Sequence, residues 1–299
     1  MLEALAERRR LLRDEPLAKY TAARLGGPAD WVYIARESNE ALVEVVSAAW
    51  AAGVPTRVLG GGANVLVADR GFRGLVVINR LDTVTFTGEQ VEASAGASLT
   101  TLARRAAARG LAGLEWAASV PGTVGGAVVN NAGAHGADMA SNVIAVELID
   151  AANGRAVLTQ PDLAYGYRTS SLKARADRHF LVLSAILALK QDDPAAVAAR
   201  IDANIAYRKR TQPPGASLGS IFKNPPGDYA GRLIEACRLK GYTIGGAQIS
   251  PVHANFFINL GAATAADYRA LIEHARAVVA REQGIELETE IELLGDWEP

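Results

Sequence analysis

Val120-Pro-Gly-Thr-Val-Gly-Gly-Ala-Val-Val-Asn-Asn-Ala-Gly-Ala-His135 and, upstream of it, Leu59-Gly-Gly-Gly-Ala-Asn64 are the stretches on which the fold turns. Both are glycine-rich bends, each expected to leave a β-like stretch. Glycine belongs where a backbone N–H must approach a ligand with no Cβ in the way, or where φ is positive. Each bend alone reads equally as an ordinary tight turn. Two in one chain favour backbone closing around a large anion, a dinucleotide pyrophosphate first of all. A Rossmann loop needs G-x-G-x-x-G between strand and helix and an acid about 20 residues on. Here Ala63-Asn64-Val-Leu-Val67 looks like another strand, so loop amides, not a helix N-terminus, would hold the anion. Asn64 then adds a side-chain amide or braces the loop.

Working outward, Ser38 caps a helix to Ala52 with Leu42, Val45, Val46, Ala49 and Trp50 on one face, between strands at 31–34 and 56–59. With Leu75–Ile78 this makes a first segment, 1–78. The second, 79–193, is β-rich: strands at 83–86, 90–95, 144–150, 155–159 and 180–189, a helix capped by Ser98, and a hairpin turn at Ala152-Asn-Gly154. Asp193 and Pro194 open the third segment, 194–299, with an amphipathic connecting helix to Arg210, from about which the third domain itself is expected. Helices at 229–240 and 264–283 and strands at 255–259 and 286–294 follow, the 264–283 helix starting in a capping-box pattern, Thr264-x-x-Asp267. The class is α+β.

Composition narrows the function. The 299 residues, 49% hydrophobic, carry a net charge of −1, which argues against a general nucleic-acid binder. A single cysteine, Cys237, excludes an internal disulfide, and the four histidines show no ligand spacing, so no metal is expected. Arg8, Arg9 and Arg10 are interleaved with acids, and neither a signal-peptide core nor a membrane-length apolar run occurs. A cytoplasmic protein is expected, free of membrane and nucleic acid.

Three further segments set polar residues beside chain breakers: Tyr165-Gly-Tyr-Arg-Thr-Ser-Ser-Leu-Lys173, Leu218-Gly-Ser-Ile-Phe-Lys-Asn-Pro225 and Leu287-Glu-Thr-Glu-Ile-Glu-Leu-Leu-Gly295. Singly, these read as a surface arginine, a turn serine and the wet face of a strand. Taken in order with Tyr20–Asp30, the two glycine loops and His253-Ala-Asn-Phe256, the chain resembles the UDP-N-acetylenolpyruvoylglucosamine reductases over nearly its whole length.

That resemblance implies the FAD-binding fold of the vanillyl-alcohol oxidase/p-cresol methylhydroxylase type, in two α+β subdomains, plus a C-terminal α+β domain for a UDP-sugar. It implies non-covalent FAD cradled by Gly60, Gly61, Gly62, Ala63 and Asn64, and by Ser119, Pro121, Gly122, Thr123, Gly125, Gly126 and Ala127. Arg168, Ser220 and Glu290 are then catalytic, and Lys223, Asn224, Gln248, His253 and Asn255 lie at the substrate. Ala63 stands where relatives carry serine, Gln212 near a position that is lysine in some, and the link from Leu189 to Val197 is too short for a tyrosine-bearing lid, as in the shorter subtype.

The implied reaction uses NADPH to reduce UDP-N-acetylglucosamine enolpyruvate to UDP-N-acetylmuramate, in a monomer. Hydride reaches the methylene carbon through the flavin. Arg168 meets the charge that develops beside the carboxylate, and Ser220 protonates the neighbouring carbon. An oxidase of the same fold and a non-catalytic UDP-sugar binder are the competing readings. Retention of Arg168, Ser220 and Glu290 speaks against the latter.

Overall fold

The computed structural model describes residues 6–297, so the extreme ends of the first and third expected segments lie outside it. Strands β1 (Leu12–Pro16) and β2 (Pro28–Ala35) precede helix α1 (Asn39–Ala51). Ser38 Oγ accepts the Ala41 N–H at 3.2 Å, and Ala41, Leu42, Val45, Val46 and Ala49 form the buried stripe. After β3 (Thr56–Leu59) come the glycine loop, β4 (Val65–Val67) and β5 (Phe72–Asn79). β5 pairs in parallel with β3, in a sheet ordered β1-β2-β5-β3.

Strands β6 (Val84–Thr87) and β7 (Gln90–Ser94) lead to α2 (Leu99–Ala107), capped by Ser98, and α3 (Val124–Asn130). With β8 (Val143–Asp150), β9 (Gly154–Thr159) and β10 (Phe180–Ala188) they build an antiparallel sheet ordered β9-β8-β10-β7-β6. The hairpin joining β8 to β9 turns where the sequence predicts, with Gly154 at φ +75°. One core takes in Leu102, Leu114, Val128, Met139, Val146 and Leu187.

Helix α4 (Pro194–Thr211) starts as expected, Asp193 Oδ2 accepting the Ala196 N–H at 3.0 Å. It packs as a connecting helix. Val197 and Ile201 are buried in the core of Leu102 and Val146, with Ile205 packed against it. The helix therefore packs with the preceding segment, and the chain changes unit at Lys209, next to the expected start near Arg210.

The chain sorts into two compact units. The first holds the described residues up to Arg13, Trp31–Gly61 and Gly74–Arg208; the second holds Asp14–Asp30, Gly62–Arg73 and the chain from Lys209. Three consecutive segments, 1–78, 79–193 and 194–299, do not describe this division. The reason lies in long-range backbone pairing within the second unit. α5 (Ala230–Ala236), β11 (Thr243–Ile244), β12 (Ala247–Ile249), β13 (Phe257–Asn259) and α6 (Ala265–Gln283) lead to β14 (Glu292–Leu294), which pairs in parallel with β4, Leu293 opposite Leu66. Ala22 N–H donates to Gly62 O at 2.9 Å and Gly27 N–H to Ala68 O at 2.9 Å. Thr264 and Asp267 close the predicted capping box on α6, and Asp69 adds both carboxylate oxygens to the N–H groups of Ala265 and Ala266, each at 2.8 Å. Among the described residues no helix is long and apolar enough to cross a membrane.

Leu66 is fully buried with Leu218, Phe222, Phe257 and Leu271, whereas Leu293 opposite it is 38% exposed. Leu66→Ala is expected to cost ~2–5 kcal/mol, read from urea unfolding, and Leu293→Ala within about 0.5 kcal/mol of nothing. Equal costs would contradict the packing described.

Candidate active site

The two glycine bends meet within the first unit. A Cβ on Gly60 would sit 2.0 Å from Thr123 Oγ1, and one on Gly61 would sit 2.9 Å from Gly122 Cα. Only glycine permits backbones this close. Gly62 takes φ +59° with Tyr20 O 2.1 Å from its missing Cβ, in the second unit. Among the described residues the N–H groups of Gly61, Gly62, Ala63, Gly122 and Thr123 donate to no protein acceptor. Ser119 Oγ is buried and also without a partner there. Backbone amides and a desolvated hydroxyl without acceptors suit phosphate oxygens.

The second bend departs from expectation. It leaves a 3-10 turn (Glu115–Ser119), not a strand, and enters α3, capped by Thr123. Gly125 is in that helix and its Cβ would meet Ala95 Cβ at 2.8 Å; its N–H goes to Ala95 O at 2.8 Å, while Val124 N–H goes to Ala97 O at 2.9 Å. Gly125 therefore serves helix-on-strand packing, and the first amides of α3 are already occupied. Gly126 N–H faces Thr123 Oγ1 at 3.5 Å, and Ala127 is buried in the core. Exposed Pro121 lies outside it.

Arg168 stands at φ +56°, a left-handed conformation that a non-glycine residue adopts only when its surroundings impose it. Asn131 ends α3, also left-handed, and donates to Gly166 O at 2.9 Å. The Arg168 fork lands on Gly133 O at 2.5 Å and Asn131 O at 3.4 Å, and Lys173 Nζ donates to Arg168 O at 3.1 Å. Ser170 caps the turn that follows and donates to Val129 O at 2.6 Å. The Tyr-Arg-x-Ser pattern is thus a device for fixing one guanidinium against the exit of α3.

In the second unit, residues 220–223 run between two other segments. Ser220 bridges Phe256, and Ile221 N–H donates to Asn255 O at 2.9 Å. On the other side Glu290 N–H donates to Ile221 O at 2.7 Å and Lys223 N–H to Glu288 O at 2.9 Å. Ser220 and Glu290 are thereby held on neighbouring backbone, and Lys223 Nζ pairs with Glu288 Oε1 at 2.6 Å. The strand expected over 286–294 shortens to 292–294. Residues 288–290 bond to 221–223 while 292–294 bond to β4, and changing partners breaks the ladder. Period-2 facing of Glu288, Glu290 and Glu292 does not hold across that break.

Other expected site residues serve as struts. Buried Asn255 spends its side chain on Phe222, accepting its N–H at 2.9 Å and donating to its carbonyl at 2.8 Å, like a one-residue strand. His253 Nδ1 accepts the Asn255 N–H at 3.2 Å, and burial holds the imidazole below its usual range, helped by Lys240. Asn224 Oδ1 caps α5 through Ala230 N–H at 3.1 Å. Gln248 donates to Gly241 O at 3.3 Å, apart from this cluster. Asn64, expected at the cofactor, donates Nδ2–H to Glu290 O at 3.2 Å. One cation went unremarked in the sequence: half-buried Arg208 on α4, with no carboxylate partner among the described residues and its charge disfavoured by burial. Its only signal was a basic run at a helix end.

Known proteins match the chain over nearly its whole length. Residues 210–294 match the UDP-N-acetylenolpyruvoylglucosamine reductase C-terminal domain and residues 32–160 an FAD binding domain. The UDP-N-acetylenolpyruvoylglucosamine reductase of Moorella thermoacetica is 46% identical, covering 96% of this chain and 94% of that protein. The chain belongs to the UDP-N-acetylenolpyruvoylglucosamine reductase family. The Bacillus subtilis reductase is 39% identical over 99% of this chain and 98% of its own length. The crystal structure of the Thermus caldophilus reductase superposes with a TM-score of 0.81 at 35% identity, covering 95% of this chain and 99% of that one. As a reductase of this family the protein is an FAD-dependent oxidoreductase that uses NADPH in peptidoglycan precursor synthesis.

Gly60→Ala is expected to weaken FAD binding at least ~100-fold, because the new methyl displaces Thr123 and opens the cradle by a fraction of an ångström. Titration of the apoprotein with FAD checks this. His253 gives a pH signature. Its folded pKa lies below the unfolded ~6.5, so its stabilisation is whole above that value and is lost as pH falls from there through the folded pKa. His135, also lowered by burial, acts in the same window. The fall in Tm between pH 7.5 and 5.5 should be shallower in His253→Gln than in the parent; an unchanged slope would remove His253 from the account.

Proposed function

We propose that Ser220 supplies the proton, Arg168 the charge stabilisation and Glu290 the carboxyl partner in reduction of UDP-N-acetylglucosamine enolpyruvate to UDP-N-acetylmuramate. In that reaction the enolpyruvyl double bond gains a hydride at its methylene carbon and a proton at the carbon bearing the carboxylate. The chemistry that bound FAD supplies is two-electron transfer from NADPH to that methylene carbon. The amides of Gly61, Gly122 and Thr123, with Ser119 Oγ, are the groups suited to its pyrophosphate.

Hydride addition leaves negative charge next to a carboxylate. A guanidinium is permanently charged and presents a planar fork, so Arg168 meets that charge without itself titrating. The backbone that holds it is left-handed and pinned by Lys173, so the fork is oriented before substrate arrives. Ser220 is a weak acid, but a carbanion-like centre is basic enough to take its proton. Lys223, already paired with Glu288, retains ammonium protons to offer the alkoxide that remains. In this reading Asn224 and Gln248 also contact the UDP-sugar, besides holding Ala230 N–H and Gly241 O. A soluble, cytoplasmic monomer completes the reading.

The observation that supports this assignment above the others is the Glu290 N–H bond to Ile221 O, which keeps the carboxyl residue beside the serine. Ser220→Ala separates chemistry from binding. Flavin reduction by NADPH should keep its rate, while reoxidation by the enolpyruvyl substrate should fall ~10²–10⁴-fold, the worth of a positioned general acid. Ser220→Cys should retain more activity than alanine. Stopped-flow absorbance follows both half-reactions, and equal slowing of the two would remove the proton from Ser220.

A further inference from the structure

We propose that Asn64 is a positioning residue for Glu290, so that the end of the first glycine loop sets the carboxyl residue rather than binding cofactor through its side chain. Three hydrogen bonds carry this. Asn64 Nδ2–H donates to Glu290 O at 3.2 Å. Glu292 N–H donates to Asn64 O at 3.0 Å, so side chain and main chain of one residue grip both flanks of Ile291. Glu290 N–H is held from the other direction by Ile221 O at 2.7 Å. The peptide groups on either side of Glu290 are therefore both fixed, one to the Ser220 segment and one to the loop.

The loop is itself rigid at that point. Gly62 is left-handed against Tyr20 O, its own carbonyl takes the Ala22 N–H, and β4 begins one residue after Asn64 in register with β14. Residues 288–291 form no regular strand, only the single bridge of Thr289 to Phe222 with its flanking hydrogen bonds. Without the Asn64 amide, the Glu290 carbonyl loses a hydrogen bond that helps fix its peptide plane, and a reactive geometry tolerates only small errors of placement. Strand-to-loop anchors of this kind act on the rate through another group, not by touching substrate.

The proposal rests on the assignment of Glu290 made above, and the test separates the two. Asn64→Ala, Asn64→Asp, Glu290→Gln and Asn64→Ala/Glu290→Gln are compared with the parent holoenzyme. Asp is the same shape as Asn but lacks the N–H donor, which guards against a packing fault in the alanine variant. Both Asn64 variants should slow reoxidation by enolpyruvyl substrate about 10-fold, the order expected for one lost positioning hydrogen bond. NADPH-driven reduction should be unchanged, and the FAD Kd of the apoproteins should stay within about 3-fold, as for a residue outside the cofactor's contacts. Hydrogen exchange of the peptide covering 286–292 should quicken. The double variant should react no more slowly than Glu290→Gln. A rise of FAD Kd of 10-fold or more with exchange at 286–292 unchanged would make Asn64 a cofactor ligand and overturn the proposal. Parent-like reoxidation in Asn64→Ala while Glu290→Gln is crippled overturns the proposal alone. Parent-like reoxidation in Glu290→Gln overturns the Glu290 assignment and the proposal with it.

Discussion

Contact between two stretches of bare backbone is the constraint on which the first unit is arranged. Gly60 and Gly61 lie so near Thr123 and Gly122 that no side chain fits between them. Everything around that contact serves to keep it. β3 delivers the first bend, α2 and its Ser98 cap flank the second, and Gly125 lets α3 settle on Ala95. A loop made of glycine is costly in chain entropy, and packing on both sides offsets the freedom it gives up.

A different logic governs the second unit. Its chemical residues sit on irregular chain, where regular ladders do not satisfy the backbone. Asn255 fills that gap for Phe222, Asn64 for Glu290 and Asn224 for Ala230. Asparagine suits the task because its amide reproduces a peptide's donor and acceptor on a short stem. Polar residues near a candidate site thus divide into those that face a ligand and those that hold the facing residues. Residue type alone does not tell the two apart.

This also explains which features were legible in the sequence. Ser38, Ser98, Asp193 and Thr264 announce helix starts through local hydrogen bonds, and all four are found doing so. Asn153-Gly154 marks its hairpin for the same reason: the signal and the structure lie within a few residues. Glycine spacing pointed to the close approach of backbone at the two bends, yet gave no hint that α3 starts inside the second. The division of the chain was hidden, because the pairing of Leu66 with Leu293 has no local signature. Asn255 and Asn64, singled out by motif order, also hold backbone remote in sequence, Phe222 and Glu290, and such partners have no local signature. Arg208 escaped notice because burial of a charge is a tertiary property.

The interleaved order of the second unit has a consequence for synthesis on the ribosome. Residues 14–30 and 62–73 emerge early, but the chain that completes their unit starts at Lys209, and the partner of β4 is within the final stretch at 292–294. Until residues 292–294 have emerged, β4 lacks its partner strand, and Leu66 lacks the core residues that follow Lys209. Contacts of such long sequence separation form slowly and leave apolar edges exposed meanwhile. The first unit, by contrast, has its last core residue, Ile201, on hand about a third of the chain earlier. The nascent protein therefore passes through a stage in which one unit is able to fold around two unpaired excursions. Loss of residues 292–294 should therefore strip β4 of its partner strand although the two are more than 200 residues apart.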